Sequence, residues 1–326
     1  MKPGILTDKN ILDLISKGNI LTTATIDEKS QVQPNTLDLT LGPKAYKLRS
    51  SFLPRKGERI EDVISKLSAY DFNLASDGGG VLEKGISYLI ELNEFLKLPV
   101  GIQCCSSPKS SIGRLDVLVR LVSEGISSFD KIPEGFEGKL YLEVTPLSFP
   151  IRVRSGNSLA QVRFISGNPI LNEDEISSLN REELSYGRYL LYDHEGKPIT
   201  SPEICNGGLV LTADLSEGVV IYRSKKNTKE IDLSKKHHYD IEEFFEIQRV
   251  KNHEIIINPN EFILAPGKEF ISIPQQSVCA EMIAIDLSIG SFRSHYAGFF
   301  DSGFGFRESE LVGHNQHNQL NLENMF

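Results

Sequence analysis

Apolar positions along this chain recur mostly with period two. Leu37, Leu39 and Leu41 alternate with Asp38 and Thr40. Leu115, Val117, Val119 and Leu121 alternate with Asp116, Leu118, Arg120 and Val122. Leu140, Leu142 and Val144 alternate with Tyr141, Glu143 and Thr145, and Ile151 and Val153 with Arg152 and Arg154. Short alternating runs punctuated by Gly, Pro and Asn predict strands, because successive strand side chains face opposite sides. The first run is expected to stop at Gly42-Pro43. Helical spacing is rarer. Ile11, Leu12 and Ile15 share one face between a Thr7-Asp8 cap and Gly18, and short helices are expected over roughly 60–67, 174–184 and 241–247. The pattern predicts a mainly β protein, a β barrel or jelly-roll-like sandwich with a few short helices.

The pattern also echoes itself. Leu37-Asp38-Leu39 followed by Tyr46-Lys47-Leu48-Arg49-Ser50 resembles Ala213-Asp214-Leu215 followed by Val220-Ile221-Tyr222-Arg223-Ser224. Tyr88-Leu89-Ile90, Glu94-Phe95 and Leu98-Pro99 resemble Phe262-Ile263-Leu264, Glu269-Phe270 and Ile273-Pro274. Pro133-Glu134-Gly135-Phe136-Glu137-Gly138 resembles Asp301-Ser302-Gly303-Phe304-Gly305. The offsets are 176, 175 and 168, nearly constant and in order. The chain therefore reads as two tandem copies of one β-rich unit. The first spans 1–168, a polar junction with a helix spans 169–205, and a divergent, shortened second copy spans 206–326. Its Asn/Gln-rich tail from about 306 lacks alternation and is expected to be irregular.

Composition narrows the function. The chain has 326 residues, 40% of them hydrophobic, enough for a sizeable core. Its formal charge is −9, which argues against general nucleic-acid binding, since phosphate neutralisation needs a basic surface. The four cysteines, Cys104, Cys105, Cys205 and Cys279, fit neither a disulfide framework nor a zinc knuckle, and the adjacent pair reads as reduced core. No signal-like start and no stretch near the ~20 apolar residues of a membrane span is present, so a cytoplasmic protein is expected.

Three segments carry candidate chemistry. Pro108-Lys109-Ser110-Ser111-Ile112-Gly113-Arg114-Leu115 places two cations, two hydroxyls and a glycine at the start of a strand. Such a turn suits a phosphate chain, and equally a solvated turn with capping serines. Glu143 lies in mid-strand, where a carboxylate needs a wet face or a partner. It reads either as a solvent-facing residue or as a general base in a partly buried pocket. Gln33-Pro34-Asn35-Thr36-Leu37-Asp38-Leu39 reads by itself as a strand behind a Pro turn.

Taken together, these segments resemble the dCTP deaminases of the dUTPase-like superfamily. Gly4-Ile5-Leu6-Thr7-Asp8 with Gly18-Asn19-Ile20 resembles the family's opening helix. Gln33-Pro34-Asn35-Thr36-Leu37-Asp38-Leu39 resembles its Gln-Pro-x-Ser-x-Asp-Leu signature, and Ser110-Ser111-Ile112-Gly113-Arg114-Leu115 its Ser-Ser-x-(Ala/Gly)-Arg-Leu motif. Gly135-Phe136-Glu137-Gly138 with Leu140-Tyr141-Leu142-Glu143, and then Gly156-Asn157-Ser158-Leu159-Ala160-Gln161, resemble its closing blocks. The five blocks run in order over residues 1–165, and the whole chain is similar to the tandem subtype.

The resemblance implies two dUTPase-like units and a hydrolytic deamination of dCTP to dUTP and ammonia, with no metal on the protein. It implies that Glu143 is the general base, that Ser110 holds water and cytosine, and that Arg114 positions and tunes the site. Lys109, where most members carry Arg, Ser111 and Gln161 are implied to bind substrate. Magnesium would come on the triphosphate, zinc is not implied, and sites would lie between subunits of a homo-oligomer. Two departures stand out: Ser127-Ser128-Phe129-Asp130-Lys131 lengthens the Arg114–Glu143 interval, and Val122-Ser123 replaces the usual Thr-Ala. Two rivals remain. A dUTPase needs an Asp after the Ile of its motif, but Pro133 follows Ile132, leaving only Asp130 or Glu134 as substitutes. An inactive nucleotide-binding module would bind without turnover. A zinc cytidine deaminase is excluded, because no His-x-Glu is paired with Pro-Cys-x-x-Cys.

Overall fold

The computed structural model describes residues 3–275, 278–283 and 298–305. The expected irregular tail from 306 lies outside them. The chain divides into two compact units. Among the described residues, unit one comprises 3–169 together with 226–235 and 298–299, and unit two comprises 170–225, 236–275, 278–283 and 300–305.

Unit one contains β1 (Gly4–Ile5), α1 (Asp8–Ser16), β2 (Ile20–Thr22), α2 (Glu28–Gln31), β3 (Leu37–Leu39), β4 (Leu41–Leu48), α3 (Ile60–Leu67), β5 (Ser68–Asn73), β6 (Gly80–Leu82) and β7 (Tyr88–Lys97). There follow β8 (Ile102–Pro108), α4 (Ser110–Gly113), β9 (Val117–Ser123), β10 (Lys131–Ile132), β11 (Glu137–Pro146), β12 (Ile151–Val153) and β13 (Ala160–Ser166). A five-stranded sheet runs β1-β13-β8-β10, with β3 also on β13. A six-stranded sheet runs β5-β4-β7-β11-β9, with β2 also on β7. Among the described residues these sheets stay open and no barrel closes; both have free ends, at β1 and β10 and at β5 and β9.

The core takes in both faces of the central strands: β3 is buried throughout, as is β11 from Leu140 to Pro146. Leu37, Leu39, Val162 and Phe164 are buried from the first sheet, and Leu89, Ile90, Leu140 and Leu142 from the second. Helix α3 presents Ile60 and Ile64, one turn apart, to Leu48, Leu89, Val122 and Tyr141. Complete burial of each such side chain stabilises by about 1.5–3 kcal/mol. Thr7 caps α1 as expected, its side chain and that of Asn10 each meeting the other's backbone.

Two expectations are corrected. Gly42-Pro43 does not end a strand, because β4 runs through it with a register irregularity between Leu41 and Ala45. A Cβ on Gly42 would stand 2.7 Å from the Glu91 carbonyl oxygen, so glycine lets two backbones approach where the ladder shifts. The helix expected over 241–247 is only a single 3-10 turn, Ile241–Glu243. Phe244 and Phe245 are fully buried, and the chain turns there into a strand.

Unit two holds α5 (Glu173–Ser185), capped by Asn172 with Glu175 reaching back to the cap. Its strands are short: β14 (Leu191–Tyr192), β15 (Ile204–Cys205), β16 (Gly208–Leu209) and β17 (Val220–Ser224). The next strand, β18 (Ile231–Asp232), belongs to unit one, where it pairs in parallel with β12. Unit two continues with β19 (Phe245–Arg249), β20 (Ile263–Leu264) and β21 (Phe270–Ile271). β17 is the centre of a three-stranded sheet between β19 and β20. No helix among the described residues is long and apolar enough to cross a membrane.

Candidate active site

The sheets of unit one carry the candidate residues in two groups. The first group lies where β3, β8 and β13 pair. Gln161 on β13 stands opposite Asp38 on β3 and Ser107 on β8. Its Oε1 accepts a hydrogen bond from the Thr36 hydroxyl at 3.2 Å. Lys109 follows β8, and its ammonium forms a salt bridge with the buried Asp38 carboxylate. The sequence places this cation toward phosphate; within the chain its nearest anion is Asp38.

Ser110 and Ser111 begin α4, a single helical turn, with Ser110 exposed and Ser111 half-buried. Arg114 follows the turn, and burial pushes its guanidinium below the ordinary pKa of arginine. The turn is built by consecutive backbone bonds, including Ile112 N–H to the Lys109 carbonyl at 2.9 Å and Arg114 N–H to the Ser110 carbonyl at 3.0 Å. Asp116 then adopts φ of 55°, which turns the chain into β9.

The second group surrounds Glu143. This residue is 1% exposed on β11, so the solvent-facing alternative does not hold. Cross-strand pairing sets Glu143 opposite Arg120 on β9 and Leu89 on β7. The Arg120 guanidinium donates to Glu143 Oε1, and the Phe52 N–H reaches Oε2 at 3.4 Å. Two oxygens of a buried carboxylate thus have one cation and one weak backbone donor. Neither Ser110 nor Arg114 bonds to Glu143 within the chain.

Sequence reasoning missed Arg120 and Asp38 as parts of these groups. The period-two runs place Arg120 and Glu143 on strands without saying that the strands are neighbours. Asp38 was visible as the centre of an echoed motif, but its ion pair with Lys109 depends on the β3–β13–β8 order.

Another buried acid of unit one, Glu94, is engaged by the backbone. Glu94 on β7 accepts the Thr40 N–H at 2.9 Å and the Thr40 hydroxyl at 2.6 Å, and Asn93 N–H donates to the Thr40 carbonyl at 3.0 Å. Burial pushes the Glu94 carboxyl above the ordinary range, against the pull of those donors. Unit two repeats the clasp: Glu269 accepts the Thr212 N–H at 2.7 Å and hydroxyl at 2.8 Å, and Lys268 N–H donates to the Thr212 carbonyl at 2.8 Å. The four cysteines are free, with Cys104 buried and Cys205 exposed. Burial raises the Cys104 thiol well above its ordinary pKa. Among the described residues, no group of three or more His, Cys, Asp or Glu is placed to hold a metal ion.

Comparison with known proteins bears on both units. Residues 2–168 match the family model of the 2'-deoxycytidine 5'-triphosphate deaminase N-terminal domain, and residues 187–320 match that of the C-terminal domain. A dCTP deaminase of Ignicoccus hospitalis is 26% identical over 170 residues, 52% of this chain and 87% of that protein. A protein of Methanobrevibacter smithii named dCTP deaminase, dUMP-forming, is 26% identical over 172 residues, 49% of this chain and 79% of that one. The crystal structure of 2'-deoxycytidine 5'-triphosphate deaminase from Agrobacterium tumefaciens superposes with a TM-score of 0.84 at 38% identity. That match covers 94% of this chain and 88% of the other.

Proposed function

The chain belongs to the 2'-deoxycytidine 5'-triphosphate deaminase family, and we propose that it hydrolyses dCTP to dUTP and ammonia with Glu143 as the general base. The observation that carries this reading is the Glu143 carboxylate itself. It is buried on a rigid central strand, held by a cation on one oxygen and by a single long hydrogen bond on the other. A base in that setting is pre-oriented and shielded from bulk water.

Glu143 takes a proton from water as the water oxygen attacks C4 of cytosine, and delivers it to ring N3. It then takes the proton of the new C4 hydroxyl and passes it to the amino group. Ammonia leaves, the C4 carbonyl forms, and the carboxylate is regenerated. Ser110 holds the water and cytosine, and Arg114 positions the site. Because neither bonds to Glu143 of its own chain, the reading has a neighbouring copy supply them, with the site at a subunit interface of a homo-oligomer. Lys109, Ser111 and Gln161 bind the substrate, with Lys109 exchanging Asp38 for phosphate. Magnesium arrives on the triphosphate, and activation of the water needs no protein-bound metal.

A second reading comes from relatives named dUMP-forming, which would cleave the triphosphate as well. Asp130, one of the substitutes for the missing dUTPase aspartate, already accepts the Leu121 N–H at 2.7 Å through Oδ1. That engagement favours deamination alone. The deciding experiment incubates the purified protein with dCTP and magnesium and separates the products. Release of dUTP with equimolar ammonia supports the proposal. Release of dUMP supports the second reading, and binding without product overturns both.

A further inference from the structure

Glu143 is held by a device assembled from three separate parts of the chain. Arg120 Nη2 donates to Glu143 Oε1 and also to Ser51 Oγ, the latter at 2.9 Å. The guanidinium carbon stands 3.8 Å from the centre of the Phe129 ring, a cation–π geometry. Phe129 comes from the segment between β9 and β10 that lengthens the Arg114–Glu143 interval. That segment is anchored: Asp130 N–H donates to the Leu121 carbonyl at 3.1 Å, and Ser127 Oγ donates to the Pro54 carbonyl at 3.0 Å. Phe52 and Phe129 both pack on the cluster formed by Leu48, Ile60, Ile64, Leu89, Val122 and Tyr141.

The two Glu143 oxygens are therefore unequal. Oε1 is committed to a cation that is itself clamped between a ring and a hydroxyl. Oε2 meets only the Phe52 N–H at 3.4 Å. Arg120 Nε is buried with no partner among the described residues, so the guanidinium is oriented by Glu143, Ser51 and Phe129 at the expense of one of its own donors.

We propose that Arg120 is the positioning residue for Glu143, locked by Phe129 of the inserted segment, and that Oε2 is the oxygen that exchanges protons with water and substrate. This rests on the general-base reading of Glu143. A single guanidinium fixes the carboxylate plane, and the segment between β9 and β10 supplies the ring that holds the guanidinium.

The test measures kcat and KM for dCTP in the full-length chain carrying Arg120→Met, Arg120→Lys or Phe129→Leu, each alone and combined with Glu143→Gln. Arg120→Met is expected to lower kcat by about 10²-fold, the usual cost of a misplaced reacting group, with KM within about threefold. Phe129→Leu and Arg120→Lys should each fall between it and the parent. In the Glu143→Gln background, Arg120→Met should add no further loss, because both act through one carboxylate. Melting temperatures separate misfolding from mispositioning; if Arg120→Met does not fold, Phe129→Leu and its double variant decide. A kcat within about threefold of the parent, a loss confined to KM, or additive losses in the double variant would overturn the proposal. A parent that forms neither dUTP nor dUMP overturns the underlying reading, and is seen before any variant is compared.

Discussion

Glu94 and Glu269 perform the same task in different units, each gripping one threonine with both carboxylate oxygens while the preceding residue's N–H closes on that threonine's carbonyl. The sequence echo pairs Glu94-Phe95 with Glu269-Phe270 but sets Thr212 opposite Thr36 rather than Thr40. The environments differ: Glu94 is 1% exposed, whereas Glu269 is half-buried.

That difference sets a stability prediction. Glu94→Ala strands two part-buried Thr40 donors and should cost about 2 kcal/mol, whereas Glu269→Ala leaves exposed donors that water can reach and should cost about 1 kcal/mol or less. The sign of the pH effect follows from burial. The folded-state pKa of Glu94 is raised, so its stabilising contribution is greatest below the ordinary carboxylate value and declines as pH rises through the folded value. Urea titrations of parent and Glu94→Ala across that range check both statements; equal costs at the two sites would contradict them.

Glu143→Gln keeps the side-chain size and removes the proton-accepting oxygen. Turnover should fall by about 10²–10⁴-fold while dCTP binding persists. Ammonia release and calorimetric titration measure the two separately, and near-parental turnover would make Glu143 structural.

Lys109 has two duties if it exchanges Asp38 for phosphate. Lys109→Ala should raise KM for dCTP more than it lowers kcat. It should also destabilise the free protein by about 1.5–3 kcal/mol, because the buried Asp38 loses its ion pair with Lys109. Adding Asp38→Asn should recover much of the stability and none of the affinity, a pattern readable from thermal melts with and without dCTP.

Asp232 ties the strap 226–235 to Arg154 through two guanidinium nitrogens. The Arg154 hydrogen bond is the main influence holding its pKa below the ordinary carboxylate value. The contribution is therefore present above that ordinary value and lost as pH falls through the depressed folded value. Asp232→Asn should cost about 1–3 kcal/mol at neutral pH and little in strong acid. Hydrogen exchange at the Ile231 and Leu233 amides, which donate to the Pro150 and Arg152 carbonyls, should accelerate in the variant.

Thiol reagents should label Cys205 first and Cys104 last in the native protein, since one is exposed and the other is buried with a raised pKa. Mass spectrometry of partially labelled protein gives the order.

Much of unit one was legible because period-two alternation reports which side chains share a face. Leu37, Leu39, Leu140 and Leu142 are buried as that rule requires. Ordered motifs then carried the family. Alternation says nothing about which strands are neighbours, so Arg120 facing Glu143 and Lys109 meeting Asp38 were hidden. Gly42-Pro43 misled because a close backbone approach uses the same residues as a turn. The 241–247 segment misled because apolar Ile241, Phe244, Phe245 and Ile247 fit both periods, and pairing with β17 decided between them. The strap was invisible, since Ile231–Asp232 is too short to show any period.

That strap gives synthesis of the chain an awkward order. β12 has β6 on one side and β18 on the other, but β18 is made long after the rest of its sheet. At about 5–20 residues per second, the ribosome needs several seconds to travel from β13 to the strap. During that interval β12 is a bare edge, and Arg152 and Arg154 lack Glu230 and Asp232. Nascent unit one is thus exposed to mispairing with other chains for a time set by translation rate, and slow codons between 169 and 235 would lengthen the risk without changing a single residue.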